Sequence, residues 1–396
     1  MLVKPEEVGL SSRRLARIGE HWQRYIDADK LAGTLTLIAR RGKVAYCEGL
    51  GHLDIERRRP VTADAVWRIY SMTKPMTSVG LMMLYEQGRF QLEDPVHRFI
   101  PSWKNLEVFV SGNHPAFVTT PAARAMTIRD LLTHTSGLTY GFMERSNVDA
   151  AYRQLAVADR TRAGYTLADM VAALAELPLE FSPGTRWNYS VATDVVGHLI
   201  EVISGQRLDA YLAEHILGPL GMGDTGFTIR DEQVPRFAAN YERQADGRLK
   251  LVDDPARSQY RQSTFLSGGG GLVSTASDYA RFLQMLLDGG TLDGRRLLSR
   301  KTLELMTADH LGPITGAPDL LLPGHGFGLG FAVRLHAGIA SVPGSVGQYF
   351  WGGLAGTTFW VDPAEQLFAL LLIQAPGQRD YYRTLFRDLV YSAFDD

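Results

Sequence analysis

Apolar residues recur along this 396-residue chain with two different periods. After Ser11 and Ser12, either of which suits a helix N-cap, Leu15, Ile18, Trp22 and Ile26 fall at helical spacing. Two runs that suit strands follow, Thr34 to Ala39 and Val44 to Glu48. Arg40-Arg41-Gly42-Lys43 joins them as a hairpin. A Met-rich apolar segment, Pro75 to Tyr85, predicts a helix that stops at Gly88. The middle third reads as helix and loop. Thr127-Ile128-Arg129-Asp130 and Thr166-Leu167-Ala168-Asp169 each have the form of a capping-box variant, ahead of Leu131-Leu132 and of Met170 to Leu177. Ala192 to Ile203 is again apolar at helical spacing. Gly268-Gly269-Gly270-Gly271 marks a change of regime, followed by a helix capped by Ser274 or Thr275 and ending at Gly289-Gly290. The last quarter predicts strands at Phe327 to Leu335, Gly356 to Val361 and Leu367 to Gln374. A final helix runs from Arg379 to Phe394, its apolar face carried by Leu385, Phe386, Leu389, Val390, Ala393 and Phe394.

Strands at both ends with helices between them predict one sheet assembled from both termini, with a helical lobe inserted. On that reading residues 1–75 and 265–396 form the α/β sheet domain and residues 76–264 the mainly helical one, with the active site at their interface.

Composition narrows the functional classes. At 45% hydrophobic and 21% charged the chain suits a globular protein with a large core. A net charge of −2, with scattered arginines and no basic run, points to no nucleic-acid or anionic-membrane partner. Cys47 is the only cysteine, which excludes internal disulfides and zinc clusters. No hydrophobic signal core follows Met1, and the longest strongly apolar run, Leu367 to Ile373, is far too short to span a bilayer; the expected location is the cytoplasm. No metal or other cofactor is expected, because the histidines are dispersed and no H-E-x-x-H occurs. The glycine run has no Lys-Ser/Thr after it and is no P-loop.

The chemistry concentrates at Ser71-Met72-Thr73-Lys74. The chain has seven lysines, and Ser71 is the only serine three residues before one. On a helix, positions i and i+3 share a face, so a hydroxyl would meet an amine. A serine is a weak nucleophile until a neighbour takes its proton, and a lysine is suited to help. Met72, Met76, Met82 and Met83 read as core packing. No G-x-S-x-G elbow occurs. His134, beside Thr133 and Thr135 at a helix C-terminus, reads as structural.

Four further segments stand in order around that pair: Leu131-Leu-Thr-His-Thr-Ser-Gly-Leu138, Ser182-Pro-Gly-Thr-Arg-Trp-Asn-Tyr-Ser190, Leu220-Gly-Met-Gly-Asp-Thr225 and Gly270-Gly-Leu-Val-Ser-Thr275. Together they resemble the serine β-lactamase and penicillin-binding-protein superfamily, from about Ser11 to the last helix. The resemblance implies a β-lactamase/transpeptidase-like fold, with an antiparallel sheet flanked by helices. It implies catalytic roles for Ser71, Lys74 and Tyr189, with an oxyanion hole from the backbone amides of Ser71 and Leu354. Two motifs depart from the superfamily pattern. Tyr189-Ser190-Val191 lacks the usual Asn of the second motif, and Trp351-Gly352-Gly353 replaces the cationic third motif. Val191, Trp351, Gly352 and Gly353 are then expected in the substrate pocket, the glycines letting backbone approach the substrate. Trp-Gly-Gly is the pattern of the family VIII carboxylesterases and of the lovastatin-type acyltransferases. With no cation or amide at those places, a β-lactam carboxylate would be poorly held. The expected activity is hydrolysis of small or short-chain carboxylic esters through an acyl-enzyme. The alternatives are a lovastatin-type acyltransferase and a β-lactamase or D-amino-acid peptidase.

Overall fold

The computed structural model describes residues 2–314 and 320–396. Five helices and eight strands position the site. The helices are α1 (Ser12–Asp27), α2 (Thr73–Glu86), α3 (Ala192–Ser204), α4 (Ala276–Leu287) and α5 (Arg379–Tyr391). The strands are β1 (Gly33–Arg40), β2 (Lys43–Asp54), β3 (Arg59–Pro60), β4 (His325–Phe327), β5 (Ala332–Arg334), β6 (Tyr349–Gly352), β7 (Thr358–Asp362) and β8 (Leu367–Ile373). The strands form one eight-stranded sheet in the order β4-β5-β6-β7-β8-β1-β2-β3. The pairing is antiparallel throughout. At its centre β8 lies against β1, with Leu370 opposite Leu37.

The continuous apolar runs of β1 and β8 follow from burial on both faces. Alternate residues serve different cores. Phe368, Leu370 and Leu372 join Leu35 and Leu37 in the larger core, which also takes Met76 and Val79 of α2 and Phe282 of α4. Leu367, Ala369, Leu371 and Ile373 join Ile38 in the second core, closed by Trp22 of α1 and Phe386 of α5. The sheet is therefore the middle layer of three. α2 is buried on nearly every side, which suits a helix that is apolar all round.

The caps form as their residues dictate. Ser11, Thr127, Thr166 and Thr275 are N-caps, and Thr127 with Asp130 and Thr166 with Asp169 make reciprocal capping boxes. Two expectations are corrected. The run from Phe327 to Leu335 is not one strand. The chain reverses after β4, Gly328 N donates to Phe331 O, and Gly330 takes a φ of 99°, so β4 and β5 pair as a hairpin. The middle third is also less purely helical than its sequence suggests. It holds two hairpins, Glu107–Asn113 with Ala116–Pro121 and Asn240–Arg243 with Leu249–Asp253. The strands of the first are mostly exposed and lack the apolar alternation that would have marked them; those of the second bury Tyr241 against Leu249 and Leu251 but are only four and five residues long. Among the described residues, no helix is long and apolar enough to cross a membrane.

Candidate active site

Ser71 is presented by a strained turn. A short pair, Trp67–Arg68 with Val273–Ser274, delivers the chain to Tyr70, which adopts a φ of 44°. A bulky residue in the left-handed region costs on the order of 1–3 kcal/mol and persists only where its surroundings enforce it. Tyr70 is half-buried and is held by Asn240, whose Nδ2 donates to its hydroxyl at 3.1 Å. Ser71 follows in a single 3-10 turn, Tyr70–Met72, that runs directly into α2. Lys74 lies in the first turn of α2, 1% exposed, and its Nζ donates to Ser71 Oγ at 3.3 Å.

The same Nζ donates to Tyr140 Oη at 2.9 Å and to the Gly269 carbonyl at 2.6 Å. Three acceptors thus match the three protons of an ammonium. Behind Tyr140 lies Asp194, in the first turn of α3. Its buried carboxylate accepts from Ser267 Oγ at 2.5 Å, from Gly269 N at 3.0 Å and from the Tyr140 hydroxyl. Burial, Asp194 and Tyr189 hold the Tyr140 pKa well above that of an ordinary phenol, so Tyr140 stays a neutral hydroxyl bridging Lys74 and Asp194. Gly269 makes this convergence feasible. A Cβ there would stand 2.5 Å from Asp194 Oδ2 and 2.9 Å from Tyr140 Oη.

Tyr189 packs around Lys74 without bonding to it. Nζ stands 4.5 Å from the Tyr189 ring centroid, in cation–π range. The Tyr189 hydroxyl accepts instead from Trp351 Nε1 at 3.2 Å. The rings of Tyr140, Trp351 and His134 surround it at 4.9–5.2 Å. His134 faces Ser190, its Nδ1 3.1 Å from Ser190 Oγ. Burial and the Lys74 charge push the His134 pKa well below 6.5, which keeps the ring neutral.

Trp351 and Gly352 end β6, and the turn after it carries Gly353 and Leu354. These residues, with Ser71, Tyr140 and Tyr189, line a cavity of about 770 Å³, within the range of small-molecule sites. Phe142, Leu322 and the half-exposed Leu354 give it apolar walls. Val191 is corrected: it is 1% exposed, starts α3 and turns into the large core, outside the lining. Among the described residues, no group of three or more His, Cys, Asp or Glu is placed to hold a metal ion.

The sequence pattern of the Beta-lactamase family matches residues 19–391 of this chain. The chain belongs to the Beta-lactamase family. Within it, the chain is 30% identical to esterase EstB of Burkholderia gladioli over 396 residues, 95% of each protein. It is 38% identical to Protein Rv1367c of Mycobacterium tuberculosis over 357 residues, covering 88% of this chain and 87% of that one. Among solved structures it is similar to EstCE1, described as a hydrolase with promiscuous acyltransferase activity. The TM-score is 0.82 at 28% identity, over 96% of this chain and 99% of that one. Simvastatin synthase LovD of Aspergillus terreus shares the fold, with a TM-score of 0.81 at 24% identity, over 96% of this chain and 97% of that one.

Of the expected residues, the structure gathers Ser71, Lys74, Tyr189, Trp351, Gly352, Gly353 and Leu354 at one cavity. Sequence reasoning missed Tyr140, Asp194 and Gly269. A signal existed for each: Tyr140 lies two residues beyond the Leu131–Leu138 motif, Asp194 is an acid in the first turn of a mostly apolar helix, and Gly269 is in the glycine run.

Proposed function

We propose that this chain is a serine carboxylesterase that hydrolyses small or short-chain carboxylic esters through an acyl-enzyme on Ser71. The observation that carries the reading is the hydrogen bond from buried Lys74 to Ser71 Oγ at the wall of an apolar cavity. The reading is supported by the relative named esterase EstB.

In this reading Ser71 Oγ attacks the ester carbonyl. The Lys74–Tyr189 pair acts in the form that is one proton short, as amine or phenolate; it takes the Ser71 proton, the amides of Ser71 and Leu354 face the developing oxyanion, and the proton is then given to the departing alcohol, which restores the pair. Water then resolves the acyl-enzyme by the same steps in reverse order. Tyr140 and Asp194 fix Lys74 in place and take no proton. Acyl transfer to an alcohol is the second reading, favoured by EstCE1's description and by relatives such as the monacolin J acid methylbutanoyltransferase of Aspergillus terreus, 27% identical over 361 residues. The two differ only in which nucleophile reaches the acyl-enzyme.

A fluorophosphonate probe followed by mass spectrometry tests the nucleophile. One adduct on Ser71, together with loss of p-nitrophenyl butyrate hydrolysis in Ser71→Ala, is expected. An adduct on another serine with Ser71 unmodified overturns the assignment. A graded alcohol series, scored for ester product against free acid, separates hydrolase from transferase.

A further inference from the structure

His134 grips Tyr189 from both flanks. Its carbonyl accepts from the amide of Asn188, the residue before Tyr189, at 2.8 Å. Its Nδ1 stands 3.1 Å from the hydroxyl oxygen of Ser190, the residue after it. Its ring packs on the Tyr189 ring, with 4.9 Å between centroids. His134 makes these contacts from the left-handed region, at a φ of 57°. That conformation is uncommon outside glycine, and histidine is among the residues that tolerate it best.

The two segments are also stitched along their main chains. Gly184 N donates to Thr135 O at 2.8 Å, and Val191 N donates to Thr139 O at 3.2 Å. Such pairing accounts for the path of the backbone. It does not account for a nitrogen on the side chain of residue 134. Ala192 N donates to Ser190 Oγ at 3.3 Å, so the hydroxyl's own proton is directed at Nδ1 and the ring proton sits on Nε2. Nε2 is buried and has no hydrogen-bond partner among the described residues. The ring is walled there by Phe327 of β4 and by Trp187. Packing alone would be served by a phenyl ring, without the cost of an orphaned nitrogen. The polar edge is explained by Ser190, and the flat face by Tyr189.

Resting on the esterase reading, in which Tyr189 and Lys74 share the Ser71 proton, we propose that His134 is a positioning residue for Tyr189. Through Ser190 and its own ring it keeps the phenol where Lys74 Nζ lies 4.5 Å from the ring centroid and Trp351 Nε1 reaches the hydroxyl at 3.2 Å. It moves no proton. The ring is neutral, so it places no second cation beside Lys74. Reacting groups that shift by about 1 Å lose on the order of a hundredfold in rate, which makes the hold on Tyr189 a determinant of turnover.

Ser190→Ala removes the partner of Nδ1 and leaves His134, its backbone and its ring in place. His134→Phe keeps a ring and removes Nδ1. With p-nitrophenyl butyrate, each is expected to lower kcat by about tenfold to a hundredfold while KM stays within about threefold of wild type. The deciding comparison is Ser190→Ala in the Tyr189→Phe background. No phenol remains there to be placed, so kcat should fall no further than in Tyr189→Phe alone. A loss of packing without a target would lower both backgrounds alike. Thermal melts confirm that each variant is folded, and Ser190→Ala carries the test by itself should His134→Phe fail to fold. Wild-type kcat in Ser190→Ala, a loss carried by KM, or losses that multiply with Tyr189→Phe would overturn the role of His134 and leave the esterase reading standing. Tyr189→Phe at the wild-type rate would overturn the Lys74–Tyr189 relay, and the role of His134 with it.

Discussion

Tyr140→Phe removes one oxygen and tests how Lys74 is held. The ring keeps its stacking on Phe142, at 4.6 Å between centroids, so the change is confined to hydrogen bonding. Lys74 Nζ loses its 2.9 Å acceptor and retains Ser71 Oγ at 3.3 Å and Gly269 O at 2.6 Å. A hydrogen bond to a charged group contributes about 1.5–3 kcal/mol. If Tyr140 acts only by fixing Nζ against Ser71, kcat/KM should fall about tenfold to a hundredfold. Asp194 meanwhile keeps Ser267 Oγ and Gly269 N as donors but loses the phenol, which should lower stability by about 1–3 kcal/mol. Steady-state hydrolysis of p-nitrophenyl butyrate, with a thermal melt on the same preparation, measures both effects. A wild-type rate would show that the bridge from Lys74 to Asp194 is idle. A loss as complete as that of Ser71→Ala would show that Tyr140 carries the proton itself, against the elevated pKa that keeps it a phenol.

Three further outcomes follow from the same geometry. Lys74→Ala and Tyr189→Phe should each be severe and the double variant little worse than either, because groups that act as a unit are not additive; losses that multiply would separate the two residues. Gly269→Ala should cost about 1–3 kcal/mol of stability, read from denaturant midpoints, and most of the activity. Its methyl would stand 2.5 Å from Asp194 Oδ2 and 2.9 Å from Tyr140 Oη; a variant as stable and active as wild type would contradict that crowding. Finally, burial lowers the His325 pKa from 6.5 to about 4, so the unfolded chain binds the proton first on acidification. Stability should be fully present above pH 6.5 and fall between pH 6.5 and 4. His325→Gln should flatten that slope in a Tm-against-pH series, and an unchanged slope would assign it to other groups.

The parts of this molecule legible in its sequence are those decided locally. The caps at Ser11, Thr127, Thr166 and Thr275 depend on residues three apart, and all four formed. The seven-residue run of β8 announced a strand buried on both faces. Ser71 and Lys74 were found because their contact spans one helical turn. Contacts between distant segments gave no such sign. Arg383 meets Gly352 across 31 positions and Lys74 meets Tyr140 across 66, and neither spacing carries a periodic signal. The hairpin at 107–121 was missed because its exposed strands bury too little for hydrophobic alternation to mark them, and the one at 240–253 because its alternation, Leu249 and Leu251 packed on Tyr241, spans strands of only four and five residues. Val191 was misplaced because alignment to a motif fixes order along the chain and not the direction of a side chain.

The pairing of β1 with β8 sets a timetable for the nascent chain. Leu37 has to wait for Leu370 before the centre of the sheet closes, and the β6 edge that carries Trp351 and Gly352 hangs from β8 through β7. Closing so long a loop costs entropy that only the completed sheet returns, which makes assembly slow and dominated by non-local contacts. During synthesis the Ser71–Lys74 turn therefore exists long before its opposite wall does. An emerging chain carries Ser71 without the cavity around it. Esterase activity should appear in one step, late, once residues beyond β8 have cleared the ribosome, and β1 and β2 are the segments that most need shielding until then.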